Sequence, residues 1–140
     1  MGPKSLDRII ILCVDDDART RNFLIQMLTI HNSHYVLKFA DNGVDAMLTI
    51  REYQPDIYII GLEMPHFDHV VTIKEIQKVG KASHSIGLSK RDNLDIYDRF
   101  VQSGLEHHVS KPINFEHLSS KLNEISKNVL MAKLITAGTS

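Results

Sequence analysis

Asp15, Asp16 and Asp17 stand in a row directly after the apolar run from Ile9 to Val14. Adjacent carboxylates repel one another, so such a row calls for a cation, either a lysine or a hard divalent ion with oxygen ligands. Three further polar clusters close other apolar runs: Gly61-Leu62-Glu63, Ser89-Lys90 and Ser110-Lys111-Pro112. An acidic doublet alone is a weak signal, because most such doublets sit solvated in loops. Carboxylates, a hydroxyl and an ammonium at the ends of neighbouring strands form a far more specific set.

Other chemistries find less support. His66 and His69 lie three apart and close to Glu63, and His107-His108 adds a second pair, a spacing that would suit a transition metal. The pairs lack a defined fourth ligand, and solvated loop histidines are the more ordinary reading. No GxGxxG or GxxxxGK(S/T) pattern occurs, which removes dinucleotide and P-loop chemistry. Three acids in the first strand–helix turn also disfavour a flavodoxin, whose phosphate would have to sit there. The single cysteine, Cys13, lies inside an apolar run with no partner for an internal disulfide. It reads as a small core residue in a reducing cytoplasm.

These residues need elements to position them. The chain of 140 residues, 43% hydrophobic and 24% charged, suits one globular domain. A formal net charge of -1 argues against a nucleic-acid surface spread over the whole molecule. No apolar run approaches the ~20 residues of a membrane span, and the stretch from Met1 to Arg8 lacks the apolar segment of a secretory signal. Five short runs read as strands: Ile9 to Val14, Tyr35 to Phe39, Ile57 to Ile60, Ser85 to Leu88 and His107 to Ser110. The first and third are continuous, as expected of central strands covered on both faces.

Helical spacing follows each run. The apolar positions are Phe23, Leu24, Met27 and Leu28; then Ala46, Met47 and Ile50; then Val70, Ile73 and Ile76; then Tyr97, Phe100 and Val101; then Leu118, Leu122 and Ile125. Asn42-Gly43 precedes the second helix, Gly104 is placed to end the fourth, and Asn114 to cap the fifth. Strand–helix alternation implies a parallel sheet with helices on both faces. Leu118, Leu122, Ile125, Val129 and Ala132 are spaced 4, 3, 4 and 3 apart. The last helix therefore either continues as a helical linker or ends near Lys127 in a frayed tail.

The segments Val14 to Asp17 and Pro55 to Pro65, with Ser89 and Lys111-Pro112, resemble the signature of response-regulator receiver domains. The resemblance covers roughly residues 7 to 127, leaving 128 to 140 as a C-terminal helical extension or linker. It implies an α/β flavodoxin-like receiver fold, a doubly wound five-stranded parallel sheet of order 2-1-3-4-5. Carried over by position, Asp15 and Asp16 stand where the family holds Mg²⁺, and Glu63 where a backbone carbonyl completes the site. Ser89 matches the hydroxyl that contacts the phosphoryl group, and Lys111 the lysine that pairs with it. His108 stands at the aromatic position that changes rotamer on activation.

Two departures stand out. The family's phospho-acceptor aspartate falls at Gly61, and Asp68-His69 stands where an Asp-Gly turn is usual. Phosphoryl transfer to this position requires a carboxylate nucleophile, which glycine does not supply. The expectation is a pseudo-receiver without enzymatic activity, a protein-interaction module independent of phosphorylation. Asp15, Asp16 and Glu63 would hold Mg²⁺ at best weakly, the contrary expectation being a hydrated acidic pocket with Lys111 folded in as counter-ion. The resemblance implies protein partners, such as a histidine kinase or an output domain, at the fourth helix, fifth strand and fifth helix, and allows a homodimer. No nucleic acid or membrane is expected. The rival expectations are an ordinary phospho-receiver with a substituted acceptor, and a metal- or ligand-sensing domain using the vacated pocket.

Overall fold

The computed structural model describes residues 8–31, 34–64, 69–78, 83–90, 94–103 and 106–138. Strands and helices alternate: β1 (Ile9–Val14), α1 (Ala18–His31), β2 (Tyr35–Ala40), α2 (Gly43–Tyr53), β3 (Ile57–Gly61), α3 (His69–Lys78), β4 (His84–Lys90), α4 (Leu94–Ser103), β5 (His107–Lys111) and α5 (Phe115–Gly138). The five strands form one sheet of order β2-β1-β3-β4-β5, parallel at every pairing. The expected doubly wound fold is therefore observed, with β2 and the weak fifth run at its edges.

Side chains alternate across a strand, so a strand buried on both faces must be apolar throughout. β1 shows this directly. Ile9, Ile11 and Cys13 enter one core cluster with Leu24 and Leu28 of α1 and Leu118, Leu122, Ile125 and Val129 of α5. Leu12 and Val14 enter the other, with Ala46 and Ile50 of α2 and Ile73 of α3. Burial pushes the Cys13 thiol well above its usual range, with the nearby Asp15 carboxylate adding to the effect. This keeps it an un-ionised core residue.

Local chemistry sets the helix ends. Asn42 caps α2 by accepting the Asp45 amide at 2.9 Å, and Asn114 accepts the His117 amide at 3.0 Å at the start of α5. Gln54 ends α2 in the left-handed region, with φ 47°. Val101 departs from the expected apolar face: it is 57% exposed, whereas Ile96 of α4 packs on the second cluster. Gly104, Asp68 and His66 lie outside the described residues, as do the side chains of His69, Val70, Ile76, Tyr97 and Phe100.

α5 continues unbroken past Lys127 to Gly138. Val129 is buried, and Lys133 donates to the Arg8 carbonyl at 2.6 Å and to Asp56 at 3.3 Å. Asp56 itself is buried and accepts the Ile10 amide at 2.8 Å. This fastening lies at the amino edge of the sheet, across the strands from the Asp15 rim.

Candidate functional site

The parallel register brings the strand ends to one rim. Val14 pairs with Ile60, Gly61 with Leu88, Ser89 with Ser110 and Lys90 with Lys111. Asp15, just past β1, Gly61 and Lys111, the last residues of β3 and β5, and Ser89, next to last in β4, therefore lie along one carboxyl edge, where open α/β sheets carry their sites. Asp15 leads this group, its side chain only 3% exposed. Its Oδ2 accepts Lys111 Nζ at 2.8 Å and its Oδ1 accepts the Asp17 amide at 3.0 Å. Both oxygens of this buried carboxylate are thus engaged, as burial of a charge demands.

Gly61 lies directly beneath that carboxylate. A Cβ built on Gly61 would stand 2.6 Å from Asp15 Oδ2 and 2.7 Å from its Cγ. The space a side chain at position 61 would take is filled by Asp15 itself. This was not legible in the sequence, where Gly61 left only an apparent vacancy.

The other expected site residues lie around this pair. Asp16 is exposed. Glu63 turns its Oε1 to the Lys90 amide at 2.8 Å, bridging the end of β3 to the end of β4. Asp17 accepts the Arg19 amide at 2.9 Å and lies 3.3 Å from the Thr20 hydroxyl. The Arg19 amide, above all, holds the Asp17 carboxyl below the usual range. The Lys111–Pro112 peptide bond is cis.

This arrangement does not fit Mg²⁺. The ion needs near-octahedral oxygen ligands, while Asp15 is committed to Lys111 and the Asp17 amide and Glu63 to Lys90. Among the described residues no group of three His, Cys, Asp or Glu side chains gathers in a metal-binding arrangement. His107 and His108 are sequence neighbours on β5, so they point to opposite faces of the sheet.

Ser89 is buried, and its Oγ lies 2.6 Å from His108 Nε2. Burial lowers the His108 pKa, partly offset by the Glu63 carboxylate, with His117 adding to the lowering. A folded-state pKa below the unfolded value means that the unfolded chain binds the proton more tightly. The stability contributed by neutral His108 is present above the unfolded pKa of ~6.5 and is lost as pH falls from there through the folded value. Urea midpoints of the native protein should therefore fall more between about pH 7 and pH 5 than those of His108→Gln, which keeps a hydrogen-bonding group for Ser89. Equal slopes in the two proteins would remove His108 from the acid response.

A family model for the response regulator receiver domain matches residues 11–123. The chain is 26% identical over 114 residues to chemotaxis protein CheY of Bacillus subtilis (strain 168), covering 81% of this chain and 94% of that protein. It is 24% identical over 115 residues to the response regulator MprA of Mycobacterium leprae (strain TN), covering 82% of this chain and 50% of MprA. The chain thus spans about half the length of several curated relatives it matches. Among solved structures, the receiver domain of an HD domain-containing protein from Pseudomonas fluorescens Pf-5 superimposes with a TM-score of 0.80 at 21% identity, covering 91% of this chain and 93% of that one. With strand order, rim and family match in agreement, the chain belongs to the response regulator receiver domain family of two-component signalling.

Proposed function

We propose that this receiver domain works as a protein-interaction module that phosphorylation does not switch. The observation that carries this reading is the end of β3. Where the family resemblance places the acceptor carboxylate, Gly61 has no side chain, and Asp15 occupies the space above it while paired to Lys111. Without an aligned nucleophile there is no aspartyl phosphate to form. The domain then holds one state, or is shifted by a partner that binds two states unequally. Its partners are signalling proteins of the kinase or output-domain class, docking on α4, β5 and α5, and its setting is the cytoplasm. Among the described residues no helix is long and apolar enough to cross a membrane.

The test is the intact mass of the protein after incubation with Mg²⁺ and acetyl phosphate. The expected result is an unchanged mass. A base-labile gain of one phosphate would overturn the reading and turn attention to Glu63, Asp15 or Asp16 as acceptor.

A further inference from the structure

A cleft of about 650 Å³ opens beside the rim, between α1 and the turn that follows β5. Its apolar floor comes from Phe23, Pro112 and Ile113, and Phe23 and Ile113 also pack against the core cluster shared by α1 and α5. Arg19 and Lys90 line its mouth, both exposed. Among the described residues neither of these side chains has a hydrogen-bond or ion-pair partner. The other two charged side chains in the wall already have hydrogen-bond partners. Lys111 is held by Asp15, and Asp17 turns its carboxylate to the Arg19 amide and the Thr20 hydroxyl. Two cations with no ion-pair partner among the described residues thus stand over an apolar floor, beside the Asp17 carboxylate and Lys111, in a volume within the ~300–1,000 Å³ range of small-molecule sites.

We propose that this cleft binds a small aromatic anion, its ring on Phe23, Pro112 and Ile113 and its anionic head between Arg19 and Lys90. The chemistry is complementary at both ends. An aromatic ring gains from covering apolar surface, and charge-assisted hydrogen bonds from guanidinium and ammonium hold an oxyanion more strongly than neutral ones do. Neither end alone suffices, because a solvated anion gains little from two exposed cations and a neutral ring has nothing to orient it. This binding is non-covalent and uses neither metal nor nucleophile, so it is independent of the reading of Gly61. The occupant would lie against Lys111 and Pro112, at the strand end that holds Asp15 in place.

The test is a titration of ¹⁵N-labelled protein with phenyl phosphate, beside inorganic phosphate and benzyl alcohol as head-only and ring-only probes. The expected result is saturable shifts at the amides of Arg19 to Phe23 and of Ile113, with both control probes at least about tenfold weaker. Arg19→Gln and Lys90→Gln, both at exposed positions, should together weaken phenyl phosphate by about tenfold or more while leaving the spectrum otherwise native. The proposal is overturned if phenyl phosphate does not saturate by about 10 mM, if inorganic phosphate binds equally well, or if the double variant binds unchanged.

Discussion

Replacing Lys111 by methionine is expected to cost about 2–4 kcal/mol of folding stability, read as a lowered urea midpoint with an unchanged slope. The cost arises at Asp15, not at the lysine. Asp15 has a side chain 3% exposed, and Lys111 Nζ at 2.8 Å is its countercharge, leaving the Asp17 amide as its one donor among the described residues once the ammonium is gone. A carboxylate stranded in that position carries its full desolvation penalty. The figure is set somewhat below that of a fully buried pair because Lys111 remains 20% exposed. For a domain with ordinary stability of ~5–15 kcal/mol this is a large fraction. A double variant, Lys111→Met with Asp15→Asn, should recover most of the loss, because neither position then carries a charge. If the single variant loses less than about 1 kcal/mol, the pair is effectively solvated and does not brace the rim.

Gly61→Asp has the second-largest expected effect, and its sign follows from the same carboxylate. The new Cβ would fall 2.6 Å from Asp15 Oδ2, so Asp15 must swing away from Lys111 before the new side chain fits. Two carboxylates then crowd one space with one lysine between them, a mixture of overpacking and like-charge repulsion costing on the order of 2–3 kcal/mol without metal. A hard divalent ion relieves that repulsion. Mg²⁺ should therefore raise the thermal midpoint of Gly61→Asp, the stabilisation reaching ~2.7 kcal/mol at a hundredfold excess over its Kd. The native protein, whose Asp15 is already neutralised by Lys111, should respond little. Gly61→Ala separates the two causes, since it has the steric clash without the added charge and should be destabilised without any rescue by Mg²⁺. An equal Mg²⁺ response in the native protein and Gly61→Asp would show that Asp15 leaves Lys111 readily, and the account of the rim would fail.

The fold was legible because its signals are local. The continuous run Ile9–Val14 announces a strand covered on both faces, and its residues do divide between the two core clusters. Asn42 and Asn114 mark helix starts because a short polar side chain satisfies an amide three residues on, which depends on nothing distant. Even β5, whose run His107 to Ser110 holds one strong strand former, Val109, was placed correctly by the alternation around it. The gathering of Asp15, Gly61, Ser89 and Lys111 at one rim follows equally from parallel strand ends.

Side-chain direction followed a different rule. The sequence by itself determined which residue types arrive at the rim and that position 61 lacks a side chain. Tertiary structure alone decided that Asp15 covers Gly61, that Glu63 caps the Lys90 amide, and that the end of α5 is fastened by Lys133 to Asp56. Each of these contacts joins residues far apart in the chain, and those at Asp15 and Asp56 are settled by competition for a buried charge. A carboxylate removed from water takes the nearest donor the fold supplies, and which donor is nearest is known only when the chain has closed around it.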